Sequence, residues 1–189
     1  MGEAMIMKVS QQSQLIPLYQ CIEALVEKPQ GKLILFLSGH AGEGVSTIGE
    51  GLGELCAGVL GRSVLVMEAC GKSPDEGTQG TSETNTFHRH SLKVADGQIS
   101  RDVLYSDIAQ SRDEYDYVLL VSPPLSEAST GLELAQHADG VVLIIEAEST
   151  RWKTSRRMCD EIIGTGGNLL GIVLNKRRQH LPAWLARWL

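Results

Sequence analysis

The segment with the clearest chemical signature is a glycine-rich stretch after the first apolar run. Residues 39–47 read GHAGEGVST and match the phosphate-loop spacing G-x-x-x-x-G-K-[ST] at every fixed position but one, where Val45 replaces lysine. In such a loop the glycines let backbone N–H groups curve around phosphate oxygens, and the hydroxyl binds Mg²⁺. The residues that retain this capacity are Gly39, Gly42, Gly44 and Ser46, with Glu43 and Thr47 beside them.

Val45 changes the chemistry that the loop can perform. The lysine of a working loop reaches the β- and γ-phosphates and offsets the charge that develops in phosphoryl transfer. A valine side chain has no charge, and no rotamer gives it this role. Taken alone, the loop leaves two interpretations open, a phosphate-binding loop without catalysis and a glycine turn that only permits tight packing.

The elements around the loop predict an α/β fold with a mainly parallel sheet and helices on both faces. Continuously apolar runs are typical of strands that are covered on both faces, and they lie at 33–37, 64–67, 118–121, 141–145 and 170–174. Helical patterns alternate with them at 13–27, 46–61, 101–113, 127–137 and 151–164. Strand alternating with helix indicates parallel strands with right-handed crossovers.

The same patterns divide the chain into a flexible N-terminus at 1–12, one α/β domain at 13–178 and a C-terminal helix at 179–189. Residues 71–100 are rich in Gly, Ser, Thr and acidic side chains and predict a mobile loop. A short edge strand is predicted inside it at 88–94.

The C-terminal helix is predicted to be amphipathic. Its apolar residues recur at helical spacing after a basic cluster, Lys176 to Arg178, and they are Leu181, Trp184, Leu185 and Trp188. This pattern suits contact with an anionic membrane surface or with a partner. Packing back onto the domain is an equal alternative, because so short a helix is marginal alone.

Charge and hydropathy favour a cytoplasmic protein, peripheral to the inner membrane at most. No apolar run approaches the roughly 18 residues that cross a bilayer, and the N-terminus lacks a basic region followed by an apolar stretch. The net charge of −6 makes nucleic acid an unfavoured partner, although the C-terminal third is locally basic. The four cysteines are scattered without metal-ligand spacing and are expected to be reduced packing residues.

Over residues 13–178 the sequence resembles the cytoplasmic tyrosine kinases of bacterial capsule and exopolysaccharide export (BY-kinases), which are related to the MinD/ParA ATPases. The resemblance implies a P-loop NTPase-like fold of the MinD/ParA type. The matching segments occur in the family's order and read GEGVST at 42–47, VLVMEAC at 64–70, YDYVLLVSPP at 115–124, ADGVVLIIEAEST at 138–150 and LLGIVLNKRR at 169–178.

The departures from the family pattern imply a degenerate site. Family members hold Mg²⁺ with two acids of a D-x-D motif and an aspartate before Pro-Pro, and these positions are Glu68, Cys70 and Val121 here. The resemblance therefore implies that ATP or ADP with Mg²⁺ binds weakly or not at all. Ser46 and Glu68 are the remaining metal ligands, and no catalytic residue is expected. Asn175 matches a position that contacts adenine, although a turn cap is the favoured role.

The function implied is that of a pseudo-kinase that supports exopolysaccharide or capsule biosynthesis and export through a membrane polysaccharide co-polymerase (Wzz-like). One alternative is an active ATPase or tyrosine kinase whose missing groups a partner supplies. Another is a MinD/ParA-like positioning protein that binds DNA or membrane. The tyrosine-rich tail of the kinases is absent, and so is the E-x-x-R-x-x-R pattern of the first helix. Kinase-like rings are therefore not expected, and a different homo-oligomer stays open.

Other polar residues have structural interpretations. Asp116 and Asp139 are predicted to set strand ends, and His40 is predicted to be an exposed loop residue. His88 and His90 alternate, so both should face one side of the edge strand. The basic residues near the start of the last helix predict a solvated face, and they are Arg151, Lys153, Arg156 and Arg157.

Overall fold

The computed structural model describes residues 2–69, 87–91, 101–147 and 150–176. The helices are α1 (Gly2–Leu25), α2 (Val45–Gly58), α3 (Arg101–Glu114), α4 (Thr130–Ala135) and α5 (Trp152–Gly164). The strands are β1 (Lys32–Ser38), β2 (Val64–Glu68), β3 (Phe87–Ser91), β4 (Tyr117–Val121), β5 (Gly140–Glu146) and β6 (Leu169–Asn175). The predicted C-terminal helix at 179–189, most of the loop at 71–100, and Cys70 lie outside these ranges.

The described strands form one six-stranded sheet in the order β3-β2-β4-β1-β5-β6, and every pairing is parallel. This confirms the predicted fold class. Because parallel strands end at the same side of a sheet, one edge carries every strand end. We call this the carboxyl edge, and its residues are Ser38, Glu68, Ser91, Val121, Glu146 and Asn175.

Each face of the sheet is covered by helices, which explains the continuously apolar strands. Along β1, Leu35 packs on the side of α3, α4 and α5, whereas Phe36 packs on the side of α1 and α2. Successive residues of a strand point to opposite faces, so a strand that is covered on both sides needs apolar side chains at every position.

Helix α2 packs closely on the sheet because it presents glycines there. A Cβ atom on Gly53 would lie 2.5 Å from Cε2 of Phe87 and 3.0 Å from Cγ2 of Val66. A Cβ atom on Gly49 would lie 3.0 Å from Cγ2 of Val121. The loop that precedes α2 is thereby held against the carboxyl edge.

Helix α1 is anchored at the opposite end of the sheet. The Glu23 carboxylate accepts hydrogen bonds from Lys32 Nζ and from the Tyr117 hydroxyl. Burial alone would raise the pKa of Glu23, but these bonds hold it below the usual value. Burial and the bond to Glu23 raise the pKa of Tyr117. The helix begins at Gly2, before the predicted start near residue 13.

The predicted strand-end roles of the two aspartates are confirmed. Asp139 accepts a bond from the backbone N–H of Leu33 at 2.7 Å and from Arg112 Nη2 at 2.7 Å to each oxygen. Asp116 accepts from the backbone N–H of Ser63 at 2.8 Å. Each carboxylate therefore links the start of the strand that follows it to the neighbouring strand, Asp139 from β5 to β1 and Asp116 from β4 to β2.

The edge strand β3 also matches its prediction, although it spans Phe87–Ser91 instead of 88–94. His88 and His90 are both exposed. Arg89 between them forms an ion pair with Glu50 of α2, on the other face of the sheet. Among the helices of the described ranges, none is long and apolar enough to cross a membrane.

Candidate functional site

The glycine-rich loop connects the end of β1 to the start of α2 at the carboxyl edge. Gly42 and Gly44 adopt positive φ angles of 82° and 95°, which favour glycine because other residues meet steric strain there. Gly39 is closely packed for a different reason, since a Cβ atom would lie 2.6 Å from the sulfur of Met158 in α5, and that side chain would have to shift. Each motif glycine therefore has a structural reason in this fold, whether or not a phosphate binds.

Glu43 is the central side chain of the loop, and it is turned inward. The residue is only 2% exposed. Its Oε2 accepts hydrogen bonds from the backbone N–H groups of Gly39 at 2.8 Å and His40 at 3.0 Å. Its Oε1 accepts from the Thr150 hydroxyl at 2.6 Å and from the Glu146 N–H at 3.3 Å. One carboxylate thus joins the loop to the segment between β5 and α5.

These contacts keep Glu43 ionised. Burial alone would raise the pKa of its carboxyl group, but the bonds from Thr150, His40, Glu146 and Gly39 together hold the pKa below the usual value. The loop therefore contains an anion of its own, the Glu43 carboxylate, which accepts hydrogen bonds from the backbone N–H groups of Gly39 and His40. His40 is exposed, as predicted.

Asn175 supports the loop from the end of β6. Its side-chain amide donates a hydrogen bond of 2.8 Å to the backbone carbonyl of Glu43. A Cβ atom on Gly44 would lie 2.1 Å from the same amide nitrogen, so a side chain at position 44 would displace the Asn175 amide. No spacing signal predicts this contact, and the adenine contact that the resemblance implies for Asn175 stays a prediction.

Val45 and Val121 occupy the lysine and aspartate positions of the kinase pattern, and both are core residues. Val45 is 8% exposed and Val121 is 1% exposed, and both belong to the cluster between the sheet and helices α1 and α2. Neither side chain can hold a charge near a phosphate. The apolar character of these positions extends the core up to the glycine loop.

The oxygen donors expected for Mg²⁺ are few. Ser46 is half-buried at the start of α2, and Glu68 is half-buried at the end of β2. Within the described residues, no three His, Cys, Asp or Glu side chains come together as metal ligands.

The start of α2 nevertheless keeps a feature that suits an anion. The N-cap residue Gly44 has no side chain, and no side-chain hydrogen bond caps the helix. The first N–H groups of a helix have no partner within it, and the helix dipole favours negative charge there. Phosphate oxygens could therefore bind to backbone groups of Val45, Ser46 and Thr47.

A cleft beside the loop has the size of a small-molecule site. Its volume is about 480 Å³, within the usual range for such sites. It lies between α1, α2 and β6, and its lining includes Leu15, Thr47, Glu50, Leu174 and Asn175. The cleft thus joins the start of α2 to the end of β6, which are two of the positions expected to meet a nucleotide.

Of the residues predicted for nucleotide and metal, the structure joins the loop residues 39–47 and Asn175 at the carboxyl edge. Glu68 is at the same edge, but the described contacts do not link it to the loop. Thr150 is the residue that sequence reasoning missed. It lies 107 positions from Glu43, and only its place just after a strand end could have suggested it.

No model of a known protein family matches the sequence, and comparison with curated proteins gives no significant match. Solved structures do match. The kinase domain of Escherichia coli tyrosine kinase ETK is 15% identical, with a TM-score of 0.70 over 87% of this chain and 76% of that one. The VpsO kinase domain is 20% identical, with a TM-score of 0.69 over 93% and 98%. A ParA family ATPase from Chlorobium tepidum is 14% identical, with a TM-score of 0.60 over 80% and 77%.

These similarities define the class of fold as the P-loop α/β fold of ParA and MinD ATPases. Within that class, the bacterial tyrosine kinase domains are among the most similar structures, in agreement with the resemblance seen in the sequence. At identities this low, the comparison establishes the fold and leaves the activity to be argued from the residues.

Proposed function

We propose that this chain is a pseudo-kinase, a non-catalytic protein with the BY-kinase fold. It supports exopolysaccharide or capsule biosynthesis and export from the cytoplasm through a membrane polysaccharide co-polymerase. The observation that carries the proposal is the burial of Val45 and Val121 in the apolar core. These are the positions where the resembling kinases have a lysine and an acid.

Loss of these groups removes the main source of catalysis for this chemistry. Phosphoryl transfer depends on positioning and on charge stabilisation, with little covalent work by the protein. Removing a single group that stabilises developing charge typically costs 10²–10³-fold in rate. The loss of the lysine together with two acids therefore leaves turnover near that of the uncatalysed reaction.

The loop can still bind ATP or ADP weakly through the N–H groups at the start of α2. The nucleoside part of the nucleotide would bind in the cleft between α1, α2 and β6, which Asn175 lines. Mg²⁺ contributes little to this binding, because Ser46 and Glu68 are the only protein ligands proposed for it. A nucleotide would then act as a structural ligand and not as a substrate.

The partner follows from the resemblance. In the resembling kinases this domain binds the cytoplasmic ends of a membrane polysaccharide co-polymerase, and a domain that has lost its chemistry can retain a docking surface. The six-stranded sheet and the glycine loop at its carboxyl edge are both formed although Val45 and Val121 are apolar. This supports the proposal that catalysis is lost while the structure needed for docking is retained.

The first experiment measures catalysis. Purified protein should hydrolyse ATP no faster than a buffer blank and should not phosphorylate its own tyrosines. In the source organism, loss of the gene should reduce polymer export, and a Ser46→Ala variant should restore it because no chemistry is needed. Clear ATP turnover that disappears in Ser46→Ala would show that the proposal is wrong.

The second experiment restores the missing charge. Val45→Lys should increase ATP affinity by roughly tenfold or more in calorimetric titration, while turnover stays near the blank, because the acidic metal ligands remain absent. Val59→Lys is the matched control, since Val59 is an exposed valine at the other end of α2. A large rise in turnover from Val45→Lys alone would contradict the assignment of the site as degenerate.

A further inference from the structure

The start of α5 presents a surface that the glycine loop and its cleft do not use. Trp152 is 71% exposed, although tryptophan is normally well covered in folded proteins. The basic residues around it are exposed as well, and they are Arg151, Lys153, Arg156 and Arg157. We call these five residues the α5 patch.

The α5 patch is not a by-product of core packing. The helix uses Ser155, Met158 and Ile162 to contact the rest of the domain. Trp152 and the basic residues lie on its remaining sides. An exposed indole ring contributes nothing to the core, and its exposure is unfavourable in water.

The positive charge of the α5 patch is largely uncompensated. Arg157 pairs with Glu161 at 2.7 Å, one turn further along the helix. Arg151, Lys153 and Arg156 form no ion pair with any residue that the structure describes. Residues 151–161 carry four basic and two acidic side chains, so this segment is net basic in a chain whose net charge is −6.

We propose that the α5 patch binds an anionic membrane surface. Tryptophan is enriched at bilayer interfaces because its ring is apolar with one polar N–H group. Basic residues beside it gain electrostatic attraction to acidic headgroups.

Binding through this surface would orient the molecule. The α5 patch follows directly on Thr150, whose hydroxyl contacts Glu43 of the glycine loop. The carboxyl edge, with the loop and its cleft, would therefore lie near the membrane. The opposite end of the sheet, where Arg62 is exposed, would face away.

The test uses the full-length protein and lipid vesicles without any protein partner, so its outcome does not depend on the proposed function. Vesicles of phosphatidylcholine with phosphatidylglycerol should retain the protein, and vesicles of phosphatidylcholine alone should not. Each of Lys153→Gln and Arg156→Gln should weaken partitioning by about fivefold, and both together by roughly 25-fold. Arg62→Gln is the matched control and should change partitioning less than about twofold, because Arg62 lies before β2, at the opposite end of the sheet.

A spectroscopic readout separates this surface from the C-terminal tryptophans. In the variant with Trp184→Phe and Trp188→Phe, Trp152 is the only tryptophan, and its emission should shift to the blue with anionic vesicles. Unchanged emission, or equal partitioning of the double Gln variant and the wild type, would refute the proposal. Retention on polyglutamate without vesicle binding would also refute it and would indicate an acidic protein partner.

Discussion

At the scale of single residues, the charged side chain of the glycine loop points into the protein and not toward solvent or a ligand. Glu43, the one charged side chain of residues 39–47, binds amides of its own loop and the Thr150 hydroxyl. The position that would carry a positive charge toward a phosphate is Val45, and it is packed in the core. The loop is therefore held in shape by internal contacts.

The first prediction concerns the charge of Glu43. Glu43→Gln should lower the free energy of unfolding by about 2–3 kcal/mol at pH 7, because a Gln amide group directs N–H donors at the N–H groups that the carboxylate binds. Since the folded-state pKa is depressed, the wild type keeps this stabilisation above the ordinary value of 4.5 and loses it as the pH falls through the folded value. Urea titration at several pH values measures the difference.

The stability of the two proteins should therefore converge as the pH falls below 4.5 and through the folded-state pKa of Glu43. Glu127→Gln is the control, because Glu127 is exposed and its side chain has no hydrogen bond or ion pair with a described residue. A constant difference between wild type and Glu43→Gln across the acid range would show that the charge of Glu43 is not what stabilises the loop.

The second prediction concerns Gly44. Gly44→Ala should destabilise the protein by roughly 2–4 kcal/mol, because a positive φ angle of 95° and a collision with the Asn175 amide both oppose a Cβ atom. The double variant with Asn175→Ala should recover the part that comes from the collision. Thermal unfolding of the two single variants and the double variant measures this coupling, and strictly additive effects would contradict it.

At the scale of elements, the sequence predicted five of the six described strands well because each contains a nearly continuous apolar run. It predicted helix α4 less well, since a helix was expected at 127–137 and the observed helix spans only Thr130–Ala135. The backbone N–H groups of Leu125 and Ser126 bond to the carbonyls of Ser38 and Gly39. These contacts hold the chain beside β1 and delay the helix, and local periodicity contains no information about them.

The third prediction compares two glycines of the same helix. Gly53→Ala should lower the melting temperature, because its Cβ atom would lie 2.5 Å from the Phe87 ring, and overpacking typically costs 1–3 kcal/mol. Gly58→Ala should raise it slightly, because a Cβ atom there meets open space and alanine favours helix by about 0.5–1 kcal/mol. If the melting temperatures of both variants shift in the same direction, close packing of α2 on the sheet does not explain the glycine at position 53.

At the scale of the whole molecule, the order of the strands explains what the sequence could reveal of the site. The loop was visible because its residues are consecutive. Its partners Glu146, Thr150 and Asn175 come from distant segments, and they meet the loop only because parallel strands end at one edge. Spacing along the chain cannot reveal such contacts, and only its place after the end of β5 could have pointed to Thr150.

The last prediction treats the two faces of the sheet as one cooperative unit. Ile162 is fully buried on the α5 face and Leu52 is 1% exposed on the α2 face. Because the same strands separate both clusters, Ile162→Ala and Leu52→Ala should each lower the stability of a single transition by about 2–5 kcal/mol. Unfolding followed by far-ultraviolet circular dichroism and by calorimetry should show coincident midpoints. Ile163→Ala and Leu60→Ala, at exposed positions near the ends of α5 and α2, should change stability by less than about 1 kcal/mol. Two separate transitions, each moved by only one buried variant, would mean that the faces unfold independently.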